Sequence, residues 1–172
     1  MARIALIGYR GSGKSTIARI LAKELGYKLI ELDRLIDERS GASIPEIVSK
    51  FGWERFRELE TELLKEALNQ EDVVLDLGGG IVEKEGNREL ISRHCFVVWL
   101  KASPEVLIAR IKESSHRPSL TGKSFIEEVP EVLARREPLY SSIAELVVDT
   151  EKNSPEQAVK EIIRALAKNQ PD

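Results

Sequence analysis

Nine residues near the N-terminus, GYRGSGKST from Gly8 to Thr16, limit what this chain can fold into more than any other stretch. Gly8, Gly13, Lys14 and Ser15 satisfy the spacing G-x-x-x-x-G-K-[ST] of a phosphate-binding loop. The pattern is mechanical. Glycines let the backbone curl round a phosphate, successive N–H groups point inward, the lysine neutralises the outer phosphates, and the hydroxyl holds Mg²⁺. The apolar run Ile4–Ile7 reads as a buried parallel strand and Ser15–Leu25 as the following helix, which puts the loop at a helix N-terminus. A plain glycine turn needs neither the lysine nor the second glycine. Gly11, Ser12 and Thr16 fall within the same expected cradle.

The 172 residues suit one domain, 1–172, and 42% hydrophobic content is enough for a sizeable core. A formal net charge of -3 gives no bulk positive field for nucleic acid, so any basic site must be local. The single cysteine, Cys95, opens an apolar run and has no internal disulfide partner, which suits a reducing compartment and a packing role. The N-terminus leads directly into the first strand and no apolar run approaches a membrane span, so a cytoplasmic protein is expected.

Beyond the first helix, Tyr27–Leu32 reads as strand two, ending at Asp33, which can also cap the next helix. Helical segments follow, broken at Ser40-Gly41; Ser43 and Glu46 have capping-box spacing, and a helix from Gly52 to Leu68 carries Phe56, Leu59, Leu63 and Leu64 on one face. Val73–Leu75 is strand three, running into Asp76 and the triplet Gly78-Gly79-Gly80. Three glycines imply a sharp turn or a ligand close against the backbone. Phe96–Leu100 and Leu146–Val148 are strands four and five. Ser103-Pro104 opens a helix carrying Arg110, and Ser154-Pro155-Glu156-Gln157 opens the last helix with a capping box. A helix from about Glu127 to Tyr140 carries Arg135-Arg136, with Pro130 in its first turn and Pro138 distorting its end. Between them, Ser114–Ser124 reads as a mobile surface loop. The alternation gives an α/β, single-domain P-loop fold: a five-stranded parallel sheet with helices on both faces and a mobile segment at about 113–126.

A phosphate loop alone does not separate kinases from GTPases or motors. No base-reading N-K-x-D segment follows a late strand, so a small-molecule kinase is the better class. Such an enzyme needs an acceptor site near the terminal phosphate, a closing lid, and arginines for the moving phosphoryl group. Asp33 and the turn Gly78–Gly80 end neighbouring strands and face the crevice of the loop. The segment His116-Arg117-Pro118 is placed to fold over it. Thr121-Gly122-Lys123-Ser124 is no second phosphate loop, because position 117 is Arg117 where a glycine is required. His94 and His116 read as solvent-facing, and Trp53 and Trp99 as packing residues, with Trp53 a candidate for the border of the acceptor pocket.

Together, GYRGSGKST, Asp33 with Leu35-Ile36-Asp37, Phe56-Arg57 with Glu60, Gly78–Gly80, Arg117-Pro118, and Arg136 with Pro138-Leu139-Tyr140 resemble shikimate kinase over essentially the whole chain. GWERFRELE and GGGIVE also resemble the kinase domain of the fused shikimate-pathway enzymes of fungi. The resemblance implies ATP-dependent phosphorylation of shikimate at its 3-hydroxyl in aromatic amino acid biosynthesis, by a chain expected to act as a monomer without nucleic acid or membrane. It implies that Asp33, Arg57, Gly78, Gly79, Gly80 and Arg136 hold shikimate, within a helical segment about 33–62. Asp33 would accept the hydroxyl proton, Arg117 would reach the phosphates from the lid, Lys14 would complete the catalytic group, and Arg110 and Pro155 would pack on adenine. Paired arginines suit a carboxylate and an aspartate suits ring hydroxyls. Other readings are a gluconate or nucleoside monophosphate kinase, or a catalytically silent nucleotide-binding regulator on the same fold. On a blander view Arg57 and Arg136 are surface charges paired with Glu60 or Glu137.

The chain departs from the family at the metal. Glu31 stands where an aspartate commonly supports Mg²⁺ through water, while Asp76 ends strand three where relatives have a small hydroxyl residue. Ser15 is the expected direct ligand, with Asp76, Glu31 or both supporting it through water.

Overall fold

The computed structural model describes residues 2–112 and 125–169. The strands are β1 (Arg3–Ile7), β2 (Lys28–Glu31), β3 (Val73–Asp76), β4 (Phe96–Lys101) and β5 (Leu146–Asp149). All pair in parallel in the order β2-β3-β1-β4-β5, so the five-stranded sheet is as expected. The helices are α1 (Lys14–Leu25), α2 (Leu32–Ser40), α3 (Ile44–Ala67), α4 (Glu85–His94), α5 (Pro104–Ile111), α6 (Phe125–Ile143) and α7 (Pro155–Lys168).

The central strand β1 shows why helices cover both faces. Successive strand residues point to opposite sides, and here both sides are apolar. Ile4 and Leu6 pack with Ile17 and Leu21 of α1 and Val159 and Ile162 of α7. Ala5 and Ile7 join Leu75, Val97 and Trp99 in a second core beneath Ile36 of α2, Phe56 and Leu64 of α3, Ile91 of α4, and Val132 and Tyr140 of α6. Cys95 belongs to this second core, and burial pushes its thiol up to about 12, as befits a packing residue. No helix among the described residues is long and apolar enough to cross a membrane.

Several boundaries differ from expectation. Strand two stops at Glu31, so Leu32 and Asp33 already lie in the first turn of α2. Glu31 holds the cap position without a side-chain capping bond, and Asp33 is therefore no cap; its charge still favours the helix dipole. The two helices expected on either side of Gly52 form one element, α3, kinked where Gly52 adopts φ 82° and ψ 169°. α6 begins at Phe125, which places Pro130 beyond the first turn, and continues past Pro138 to Ile143. The caps at Ser43, Ser103 and Ser154 all form, Ser154 with the full reciprocal box to Gln157. The lid residues 113–124, Arg117 and His116 among them, lie outside the described residues.

Candidate active site

The C-terminal ends of β1, β2 and β3 open into a cleft of about 480 Å³. It is lined by the loop residues Gly11, Gly13, Lys14, Ser15 and Thr16, by Glu31 and Asp33, and by Asp76 with Gly78 and Gly79. Gly8 is required where the loop leaves β1. Its φ of 148° suits glycine, and a methyl group there would sit 2.5 Å from the Leu100 carbonyl oxygen and 3.0 Å from Ser12 Oγ. Lys14 Nζ donates to the carbonyls of Gly8 (2.6 Å) and Tyr9 (3.4 Å), which holds the ammonium at the loop.

Ser15 Oγ donates to Asp76 Oδ2 at 2.8 Å. Asp76 is nearly buried; burial pushes its carboxyl above the usual range, Lys14 and the Ser15 bond oppose this, and Asp33 and Glu31 add to it. Glu31 is the register partner of Asp76 across β2 and β3, yet its nearest cation is Arg19, 3.4 Å away and largely in solvent. Among the described residues no group of three or more His, Cys, Asp or Glu could hold a metal. A hydroxyl with a carboxylate behind it instead fits a hard cation that keeps its waters and takes phosphate oxygens, as Mg²⁺ does.

Arg110 donates to the Gly11 carbonyl (3.1 Å) and to the hydroxyl and carbonyl of Thr150 (3.2 and 3.1 Å). Its guanidinium thus braces the phosphate loop against the end of β5. Pro155 stands at the start of α7, a few residues beyond Thr150.

The glycine turn carries the other half of the site. A methyl group on Gly80 would collide with the Arg57 guanidinium and lie 2.8 Å from Arg136 Nη2; on Gly79 it would lie 3.3 Å from Arg136 Nη1 and from the Gly8 carbonyl oxygen. Arg57 of α3 and Arg136 of α6 therefore converge on one turn, and that turn lies beside the phosphate loop. Neither is a surface charge. Arg57 Nη1 donates to Glu60 Oε1 at 2.8 Å, where Glu60 is fully buried, and the guanidinium lies over the rings of Trp53 and Phe56. Arg136 is 3% exposed, stacks over Tyr9, pairs with Glu83 rather than Glu137, and has a buried Nε without a hydrogen-bond partner among the described residues. Glu137 faces Lys101 instead. Trp99 packs on Tyr140, and His94 is exposed at the end of α4.

Two residues that sequence reasoning left without a role support this half. Tyr140, one helical turn after Arg136 on α6, is fully buried and donates to the Gly79 carbonyl at 2.6 Å; the i, i+4 spacing was the available signal. Glu83 ends the short 3₁₀ turn Ile81–Glu83 that follows the glycines and lies among Arg57, Arg135 and Arg136. Nothing in local spacing announces it.

A phosphate loop set against a buried, arginine-lined glycine turn, on a parallel sheet of this order, defines a P-loop kinase of small molecules. The sequence pattern of shikimate kinase matches residues 10–167. The chain is 41% identical over 167 residues to "Shikimate kinase 2" of Yersinia enterocolitica, covering 95% of each. The shikimate kinase of Acinetobacter baumannii, solved in complex with shikimate, superposes with a TM-score of 0.94 at 30% identity, covering 100% of this chain and 96% of that one. The enzyme of Aquifex aeolicus gives 0.85 at 35% identity, covering 97% of each. The chain belongs to the shikimate kinase family.

The bond from Tyr140 to Gly79 yields a stability prediction. Tyr140→Phe keeps the shape of the ring but leaves a buried carbonyl unsatisfied, which costs about 1–3 kcal/mol. Thermal melting should therefore fall by roughly 3–10 °C; an unchanged midpoint would show that the hydroxyl does not hold the turn.

Proposed function

We propose that the protein transfers the terminal phosphoryl group of ATP to the 3-hydroxyl of shikimate. The observation that carries this reading is the convergence of Arg57 and Arg136 on Gly80, in a turn that lies beside the phosphate loop. Two guanidinium groups suit one carboxylate, and the family relative solved with shikimate shares the fold over the whole chain. In this reading the loop amides of Gly8, Gly11, Ser12, Gly13, Ser15 and Thr16 receive the phosphates of ATP. Lys14 neutralises them, and Gly78–Gly80, Arg57 and Arg136 seat the acceptor. Asp33, on the cleft wall, orients the attacking hydroxyl and accepts its proton, while Arg117 approaches from the lid. Arg110 acts on the nucleotide by holding Gly11 and Thr150, with Pro155 beside the adenine. Ser15 would hold Mg²⁺, with Asp76 supporting it through water; when bound, the ion neutralises charge across the phosphates. The reading includes a cytoplasmic monomer, for which the buried free thiol of Cys95 is suited.

The test is a coupled ADP-release assay with and without shikimate. Turnover should depend on shikimate. Arg136→Ala should raise its KM about thirtyfold or more by removing one partner of a buried charged contact, while Lys14→Ala should lower kcat at least about a hundredfold. ATP binding without shikimate-dependent turnover would contradict the reading. For the metal, Asp76→Asn should weaken apparent Mg²⁺ affinity about tenfold or more, as loss of a supporting ligand does, with Glu31→Gln close to wild type. The reverse pattern would move the role to Glu31.

A further inference from the structure

Glu83 sits where the acceptor's carboxylate is to be received. Its Oε2 lies 3.1 Å from Arg136 Nη2 and 3.7 Å from Arg57 Nη2. Those are the two guanidinium nitrogens that converge over Gly80. Its other oxygen, Oε1, receives both Nε and Nη2 of Arg135 at 2.8 and 2.7 Å. One carboxylate thus bridges the acceptor arginines with one oxygen and a third arginine with the other.

Comparison with Glu60 separates two kinds of partner. Glu60 is 0% exposed and pairs with Arg57 through Nη1, the nitrogen turned away from Glu83. Removing a fully buried partner leaves an uncompensated charge, so Glu60 is a permanent counter-ion. Glu83 is 26% exposed, and its second partner Arg135 is 50% exposed. It can release the acceptor arginines and keep a cation. The backbone beneath it stays fixed: Asn87 Nδ2 donates to the Ile81 carbonyl, Arg88 Nη1 to the Val82 carbonyl, and Glu83 N to the Gly80 carbonyl. Release therefore needs only a movement of the Glu83 side chain. Burial alone would raise its carboxyl, but Arg136, Arg135 and Arg57 outweigh burial and hold it below its usual value, so it is ionised near neutrality.

We propose that Glu83 is a built-in competitor for the acceptor-carboxylate subsite, one that sets substrate affinity by occupying Arg57 and Arg136 until the substrate displaces it onto Arg135. The proposal rests on the reading that a carboxylate substrate binds these two arginines. An internal anion in that place keeps two neighbouring cations compensated before substrate arrives and reduces apparent affinity by the fraction of time it holds them.

Calorimetric titration of shikimate into the full-length protein tests this, with thermal melting alongside. Glu83→Gln keeps the shape and removes the charge. It should bind shikimate about threefold or more tightly than wild type, because the competing fraction is gone. Its unliganded melting point should fall by about 2–4 °C, and its rise on adding shikimate should be larger than wild type. Arg135→Gln, at a half-exposed position, removes the alternative partner; it should weaken shikimate binding, since Glu83 then has only the acceptor arginines. A Glu83→Gln protein that binds shikimate equally or less tightly overturns the proposal, as does an Arg135→Gln protein that binds more tightly. If Glu83→Gln fails to fold, the direction of the Arg135→Gln change decides. If folded wild type binds no shikimate, the underlying substrate reading fails and takes this proposal with it; wild-type binding without the opposed mutant shifts overturns the proposal alone.

Discussion

Two guanidinium ions brought out of water against a turn without side chains set the terms for the rest of this protein. Burying a charge is costly unless it is paired and hydrogen-bonded. Arg57 and Arg136 meet that condition through Glu60, Glu83 and the faces of Trp53, Phe56 and Tyr9. The absence of a side chain at Gly80 matters here, because a methyl group would displace both guanidinium groups from their present places. Tyr140 fixes the turn through the Gly79 carbonyl, and Asn87 ties it to α3 by accepting from Thr61 and donating to Ile81. Thus α3, α4 and α6, distant in sequence, are fastened to one turn by polar contacts as well as by the core.

The sheet supplies the other constraint. β3 pairs with β1 in parallel, so the chain leaves both strands at the same end of the sheet. The glycine turn therefore emerges beside the phosphate loop, so close that a methyl group on Gly79 would lie 3.3 Å from the Gly8 carbonyl oxygen and 3.5 Å from the Arg10 nitrogen. The loop and the glycine turn thus lie side by side at one end of the sheet, which is the arrangement that in-line transfer between two small molecules needs. The Ser15–Asp76 bond makes the same connection, from the first turn of α1 to the last residue of β3.

Much of this was legible in the residues. The strand–loop–helix around Gly8 to Thr16, the serine caps and the five strands follow from periodicity, propensity and turn chemistry, which act over a few residues. The end of α6 lies a few residues beyond the expected Tyr140: the helix runs past Pro138 to Ile143, with the buried Tyr140 in its last turns. Asp33 was misread as a cap because the end of β2 is set by pairing with β3 rather than by local sequence. Arg57 and Arg136 were found through the family pattern, while their burial and their shared turn came from tertiary packing. Glu83 escaped altogether, because its meaning depends on three arginines from two helices that sequence places 26 to 53 residues away.

The central claim is that a substrate carboxylate is recognised by the charge of Arg57 and Arg136. The most direct measurement is calorimetric binding of shikimate against shikimate methyl ester, which retains the ring hydroxyls and loses the anion. The ester should bind at least about thirtyfold more weakly, the scale of an unpaired buried charge. Equal affinity for acid and ester would contradict the account.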